Sequence, residues 1–152
     1  MRIAREPFDA TLLEESQAEL IARYGQDTEP GTKPTAADLS VFLVARDDTG
    51  EAVGCGALRV LDDDTVELKR MYVRPAARGQ GIGRALLAAL EGAAARFGAT
   101  RVRLETGPLQ PDAIALYESS GYHEIPCWGA YTEAPLSRCY ERELDGGSFQ
   151  LS

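Results

Sequence analysis

Along the chain, polar and apolar positions alternate in a short first stretch, Arg2 to Glu6, and then change period. Leu12, Leu13, Ser16, Leu20, Ile21 and Tyr24 recur every three to four residues, which predicts a helix with these residues on one side. Asp9 stands where that helix would be capped and Gly25 where it would stop. Gln26 to Asp38 mixes Gly, Pro, Thr and Asp without periodicity and reads as a long loop. Two apolar runs, Val41 to Arg46 and Ala52 to Leu61, flank Asp47-Asp48-Thr49-Gly50 and predict a hairpin. A turn at Asp62-Asp63-Asp64 leads into a strand from Val66 to Val73. Simple alternation sets Val66, Leu68 and Tyr72 on one face of this strand, with Glu67, Met71 and Val73 on the other. Pro75 ends the strand, because proline has no N–H to give a ladder.

After this strand, Ile82, Leu86, Ala89, Leu90, Ala93 and Phe97 return at helical spacing, and Gly98 terminates the run. Arg101 to Glu105 alternates as a further strand. Pro111 opens a helix carrying Ala113, Leu116, Tyr117 and Ser120, which Gly121 closes. Tyr122 to Ile125 and Ser137 to Leu144 read as two last strands around the loop Pro126 to Pro135. The order β, α, long loop, β, β, β, α, β, α, β, β predicts a mixed α/β (α+β) domain with about seven strands and about four helices over residues 1–145. Residues 146–152, beginning Gly-Gly-Ser, read as a flexible tail.

Composition narrows the class. The 152 residues are 44% hydrophobic and 26% charged, as expected for a single globular domain. No run approaches the roughly 20 apolar residues of a membrane helix, and Met1-Arg2-Ile3-Ala4-Arg5-Glu6 has no apolar signal core, so the expected location is the cytoplasm. With 24 acidic against 16 basic residues the formal charge is −8, which opposes nucleic-acid binding, serves solvation and would attract a cationic amine. Cys55, Cys127 and Cys139 are odd in number and unclustered, which favours reduced thiols over a disulfide or a metal site. The three adjacent aspartates lack the later Gly and Glu of a calcium loop and read as a solvated turn.

The glycines of Arg78-Gly79-Gln80-Gly81-Ile82-Gly83-Arg84 fall at a helix start, where unpaired N–H groups and the positive end of the helix dipole favour an anion. The same glycines would equally make a tight turn. A Lys-Ser/Thr ending is missing and the order is not G-x-G-x-x-G, so the stretch is neither a nucleotide-hydrolase loop nor a dinucleotide fingerprint.

The run Glu67-Leu68-Lys69-Arg70-Met71-Tyr72-Val73 followed by Arg78-Gly79-Gln80-Gly81-Ile82-Gly83 resembles the fourth strand and acyl-CoA-binding motif of the GNAT superfamily of N-acetyltransferases. Ala113-Ile114-Ala115-Leu116-Tyr117-Glu118-Ser119-Ser120-Gly121-Tyr122 is similar to that family's late helix. The resemblance implies the GNAT fold and acetyl-CoA as co-substrate, without a metal. It also implies cofactor contacts from the backbone around Met71, Tyr72 and Val73, and from Arg78, Gly79, Gln80, Gly81, Ile82, Gly83 and Arg84. Gln110 stands where many members carry an Asn that helps hold the cofactor.

Two side chains match catalytic positions of the resembled family. Tyr117 corresponds to a general acid for the departing thiolate, a task suited to a phenol of pKa about 10; by spacing alone it is a core aromatic. Glu67 corresponds to a general base acting through water, with Glu105 a weaker candidate; either would also serve as an ordinary paired strand carboxylate. Trp128 and Tyr131, between the last strands, either wall the acceptor pocket or cover the core. His123, the single histidine, reads as structural, and a ping-pong role for Cys139 goes against the direct transfer usual in the family. The leading expectation is therefore acetyl transfer from acetyl-CoA to a primary amine of a small molecule in a ternary complex. A peptide or protein N-terminus as acceptor, a non-catalytic acyl-CoA-binding module and a homodimer stay open.

Overall fold

Seven strands form one sheet in the order β1-β2-β3-β4-β5-β7-β6, and a computed structural model describes it over residues 1–7, 10–25 and 39–144. The strands are β1 (Arg2–Arg5), β2 (Val41–Arg46), β3 (Ala52–Val60), β4 (Thr65–Val73), β5 (Arg101–Thr106), β6 (His123–Ile125) and β7 (Arg138–Glu143). Three α-helices accompany them among the described residues, α1 (Ala10–Tyr24), α2 (Ile82–Arg96) and α3 (Pro111–Ser119), where about four were expected. Asp9, the Gln26 to Asp38 loop and the 146–152 tail lie outside the described residues.

Alternation along β2 explains the two-sided core. Val41, Leu43 and Ala45 pack in the larger cluster with Leu86, Leu87 and Leu90 of α2, while Phe42 and Val44 join Leu12 of α1, Cys55, Ala57 and Tyr72 on the other face. Both faces of the sheet are thus covered, and the hairpin reads as nearly continuous apolar residues for that reason. Ile21, counted with the apolar side of α1, is exposed.

β4 departs from simple alternation. Against β3, Cys55 pairs with Tyr72 but Ala57 pairs with Lys69, so Arg70 and Met71 together oppose the single residue Gly56. Arg70 takes a left-handed φ of 58°, and the strand carries a β-bulge there. The extra residue reverses the phase of everything after it. Met71 and Val73 pack with Val66 and Leu68 in the α2 cluster, and Tyr72 turns to the α1 side with Cys55. The face assignment from the sequence is therefore corrected beyond Leu68. Gly56 is required opposite the bulge, because a Cβ on it would lie 2.6 Å from Leu90 Cδ1 and 2.8 Å from Met71 Sδ.

The one parallel pairing is short. β4 and β5 align only over Thr65–Glu67 with Arg101–Arg103, and no pair joins them beyond. From Leu68 on, β4 has no strand on that side, leaving an edge whose backbone groups can meet a ligand.

Cys127 and Cys139 are joined in a disulfide, with Cα atoms 5.2 Å apart, against the expectation of reduced thiols. No local spacing marks this bond, because β6 and β7 make the contact: Ile125 pairs with Cys139, which brings Cys127 back alongside. The bond also removes Cys139 from consideration as a nucleophile. Titration of the denatured, unreduced protein should find one thiol per chain, Cys55, rising to three after reduction. Three thiols without reduction would refute the bond.

Candidate active site

Two adjoining cavities occupy the opening between β4 and β5. The first is lined by Met71, Tyr72 and Val73 of β4, Arg78 and Gly83 of the following turn and helix start, and Leu116 and Tyr117 of α3. The second is lined by Glu67, Lys69 and Arg70 before and at the bulge, Glu105 of β5, Tyr117 and Tyr131. Both touch Ser16, Leu20, Met71, Gln110 and Tyr117, so they meet at the Tyr117 ring. The bulge makes this division possible, since it presents residues 67 and 69 to the second cavity and residues 71–73 to the first.

At the first cavity, Gly81 is the N-cap of α2 with φ 81°, and Gly79 has φ 79°. A left-handed conformation at these positions is low in cost only for glycine. It turns the chain so that the first N–H groups of α2 point outward at the positive end of the helix dipole. Ile82 is buried in the core, so only its backbone is offered to a ligand. These features fit a pyrophosphate. Arg78 is held by Glu19 of α1, Nη2 to Oε2 at 2.7 Å, and donates through Nε to the Val73 carbonyl at 2.8 Å, with Tyr72 under its guanidinium. Arg84 instead reaches the Ser119 and Ser120 hydroxyls at 3.0 and 3.3 Å, tying α2 to α3. Gln80 is exposed, and Gln110, at the N-cap position of α3, lines both cavities.

Tyr117 is 6% exposed and stacks edge-on against Tyr122 at 5.9 Å. Its hydroxyl hydrogen-bonds to no described residue. Burial, with a smaller contribution from the charge of Glu105, pushes this phenol well above the usual tyrosine range, so it stays protonated at neutral pH. Such a group is suited to give up its proton only to a strong base formed nearby.

The second cavity contains a buried ionic cluster. Glu67 is fully buried; its Oε1 accepts from Arg59 Nη2 at 2.9 Å and its Oε2 from the Tyr131 hydroxyl at 2.6 Å. Lys69 Nζ donates to the same Tyr131 oxygen at 2.7 Å and lies 3.5 Å from Glu67 Oε2. Glu105 accepts from Ser137 Oγ at 2.8 Å. Among the described residues Trp128 lines neither cavity: it meets Tyr131 edge-on with ring centres 5.2 Å apart, and the Arg103 guanidinium lies over its ring at 5.7 Å. The disulfide anchors the loop that carries both aromatics. His123 is exposed on β6, away from this cluster.

Sequence reasoning passed over Lys69 and Arg59. Alternation with Glu67 was a usable sign for Lys69. Arg59 is opposite Glu67 only through the β3–β4 register.

The profile of the acetyltransferase (GNAT) family matches residues 2–122. A protein from Azospirillum brasilense named IAA acetyltransferase is 39% identical over 134 residues, covering 83% of this chain and 87% of that protein. A crystal structure from Klebsiella pneumoniae, described as a candidate acyl-CoA N-acyltransferase, is 35% identical with a TM-score of 0.79, covering 94% of this chain and 97% of that one. An Elizabethkingia anophelis GNAT acetyltransferase solved with acetyl-CoA bound has the same fold at 22% identity, with a TM-score of 0.65 over 93% of this chain and 98% of that one. The chain belongs to the GNAT acetyltransferase family, a class of acyl-CoA-dependent acyltransferases.

Proposed function

We propose that this protein transfers the acetyl group of acetyl-CoA to a primary amine of a small molecule, by direct attack in a ternary complex. The observation that carries the reading is the pair of cavities meeting at Tyr117, one built for an anionic cofactor and the other walled by polar side chains. A thioester carbonyl placed at the junction is reached by an amine from the acceptor side without leaving the protein. The relative named IAA acetyltransferase and the seating of acetyl-CoA in a protein of the same fold support this reading.

In this scheme the Gly79 to Arg84 segment holds the pyrophosphate, and the open edge of β4 around Met71, Tyr72 and Val73 orients the pantetheine chain. The amine nitrogen forms a bond to the carbonyl carbon, the carbon–sulfur bond breaks, and the leaving thiolate takes the proton of the Tyr117 hydroxyl. Glu67 cannot touch the amine directly, because Arg59 and Tyr131 occupy its oxygens. Its proton therefore arrives through Tyr131, which passes its own proton to Glu67 Oε2 and receives one from the amine side.

Mixing acetyl-CoA with a panel of small primary amines should release thiol only when an accepted amine is present, with an N-acetylated product of matching amount. Thermal stabilisation by CoA with no thiol release from any amine would leave a binding module and sink the enzymatic reading.

A further inference from the structure

The loop between β6 and β7 gives one residue, Tyr131, to the wall of the second cavity and none to the first. Regular structure within it amounts to a single 3-10 turn at Gly129–Tyr131. The backbone bonds from Tyr131 to Trp128, Thr132 to Gly129, Ala134 to Tyr131 and Ser137 to Ala134 close local turns, tying the loop to itself. Side chains seat it on the sheet: Tyr131 on Glu67 and Lys69, Trp128 under the Arg103 guanidinium, and Ser137 on Glu105. The Cys127–Cys139 bond closes this segment into a ring just beyond the last β6–β7 pair, Ile125 with Cys139. A closed ring has fewer conformations to lose than an open segment, so the bond favours these contacts.

The sheet itself does not depend on the bond. β7 is held to β5 over six residue pairs and to β6 over three, and Tyr140 is buried in the main core. Breaking the bond therefore frees the loop and leaves the fold. The two sulfurs also differ in access, since Cys139 is fully buried and Cys127 only half-buried at the foot of the loop. A thiolate arriving from solvent meets Cys127, which makes Cys139 the leaving group.

We propose that Cys127–Cys139 is a thiol–disulfide exchange site, opened by a dithiol at Cys127, that releases Tyr131 from the second cavity. The attacking thiolate forms a bond to the Cys127 sulfur, the Cys127–Cys139 bond breaks, and Cys139 departs as a thiolate. The second thiol of the reductant then attacks the reductant's own sulfur in this mixed disulfide, closing its disulfide and freeing Cys127. Each departing thiolate takes up the proton that its attacker gave away, and two electrons pass from the dithiol to the protein. A monothiol stops at the mixed disulfide, where Cys139, held alongside by the ladder, expels it again. With the ring open, water takes the place of the Tyr131 hydroxyl at Glu67 and Lys69, and the first cavity keeps its walls. The kinetic consequence rests on the acetyltransferase reading above; the opening itself does not.

The test treats native protein with dithiothreitol, or with reduced glutathione at equal thiol concentration, removes the reductant under nitrogen and alkylates a portion with iodoacetamide. After dithiothreitol, peptide mass spectrometry should find the label on Cys127, and far-UV circular dichroism should be unchanged. Trp128, the only tryptophan, follows Cys127 in the loop, so quenching of its fluorescence by acrylamide should increase as the loop is freed. For an accepted amine, with N-acetylated product measured by mass spectrometry, the acceptor KM should rise at least about tenfold while the acetyl-CoA KM stays within about threefold. Reoxidation with oxidised dithiothreitol should reverse both changes. Cys127→Ser should have the raised acceptor KM from the start and no response to reductant, which assigns the effect to this bond and not to Cys55; if that variant fails to fold, the reduced wild type decides.

Cys127 unlabelled after dithiothreitol, or labelled with acrylamide quenching and acceptor KM both unchanged, would overturn the proposal and leave the bond a fixed staple. Opening by glutathione to the same extent would overturn the assignment of a dithiol. If no amine in the panel is acetylated, the transferase reading fails by itself, and the labelling and quenching results still decide whether the loop is released.

Discussion

Replacing Tyr117 with phenylalanine should lower kcat by about 10- to 1000-fold, within the range for general acid catalysis, while the affinity for CoA barely changes. The ring fills the space between the two cavities and stacks on Tyr122, and phenylalanine keeps that packing. The hydroxyl is bonded to no described residue, so its loss leaves no partner stranded among them and costs little stability. Because burial raises the phenol's pKa, any loss of activity from deprotonating Tyr117 should fall above pH 10, not near neutrality. Steady-state kinetics with wild-type kcat in Tyr117→Phe would reduce this residue to a core aromatic.

The second large effect is expected at the α2 N-terminus. Acetyl-CoA or CoA should raise the melting temperature of wild type, by an amount equivalent to about 2.7 kcal/mol at a hundredfold excess over Kd. Gly81→Asp and Gly83→Asp should abolish that shift by placing a carboxylate where the pyrophosphate meets the backbone. Aspartate is itself a good helix cap and tolerates the left-handed region better than most residues, so Gly81→Asp should cost only about 1–2 kcal/mol of stability without ligand. Gly83→Asp also brings a Cβ to 3.4 Å from Leu116 Cδ2, an added packing load. A shift of wild-type size in both variants would place the cofactor elsewhere.

Elements were legible where a single period ran uninterrupted. The α2 stripe from Ile82 onward and the Pro111 helix lie where the spacing put them, and the β2–β3 hairpin where its continuous apolar runs put it, because it is covered on both faces. The turn within Arg78 to Arg84 was legible for a different reason: Gly79 and Gly81 carry left-handed backbone that few other residues adopt. The face assignment failed at one residue in β4, where the inserted Arg70 shifts the period and no composition signal marks it. Lys69 and Arg59 escaped because their importance lies in a register across strands and not in any local pattern. The disulfide escaped for the same reason. Trp128 reads from its place in the loop as walling the acceptor pocket or covering the core; among the described residues it packs against Tyr131 and lines neither cavity.

The bulge at Arg70 separates two kinds of inheritance within nine residues of one strand. In the proposed scheme, positions after it hold the cofactor, and do so largely with backbone. Positions before it, Glu67 and Lys69, line the second cavity with side chains that are tied to Arg59 and Tyr131. In that scheme a single strand lets the acceptor side vary while the thioester side stays in place. Deleting one residue at the bulge would have the opposite consequence, turning Met71 and Val73 out of the α2 core and exchanging both functions at once.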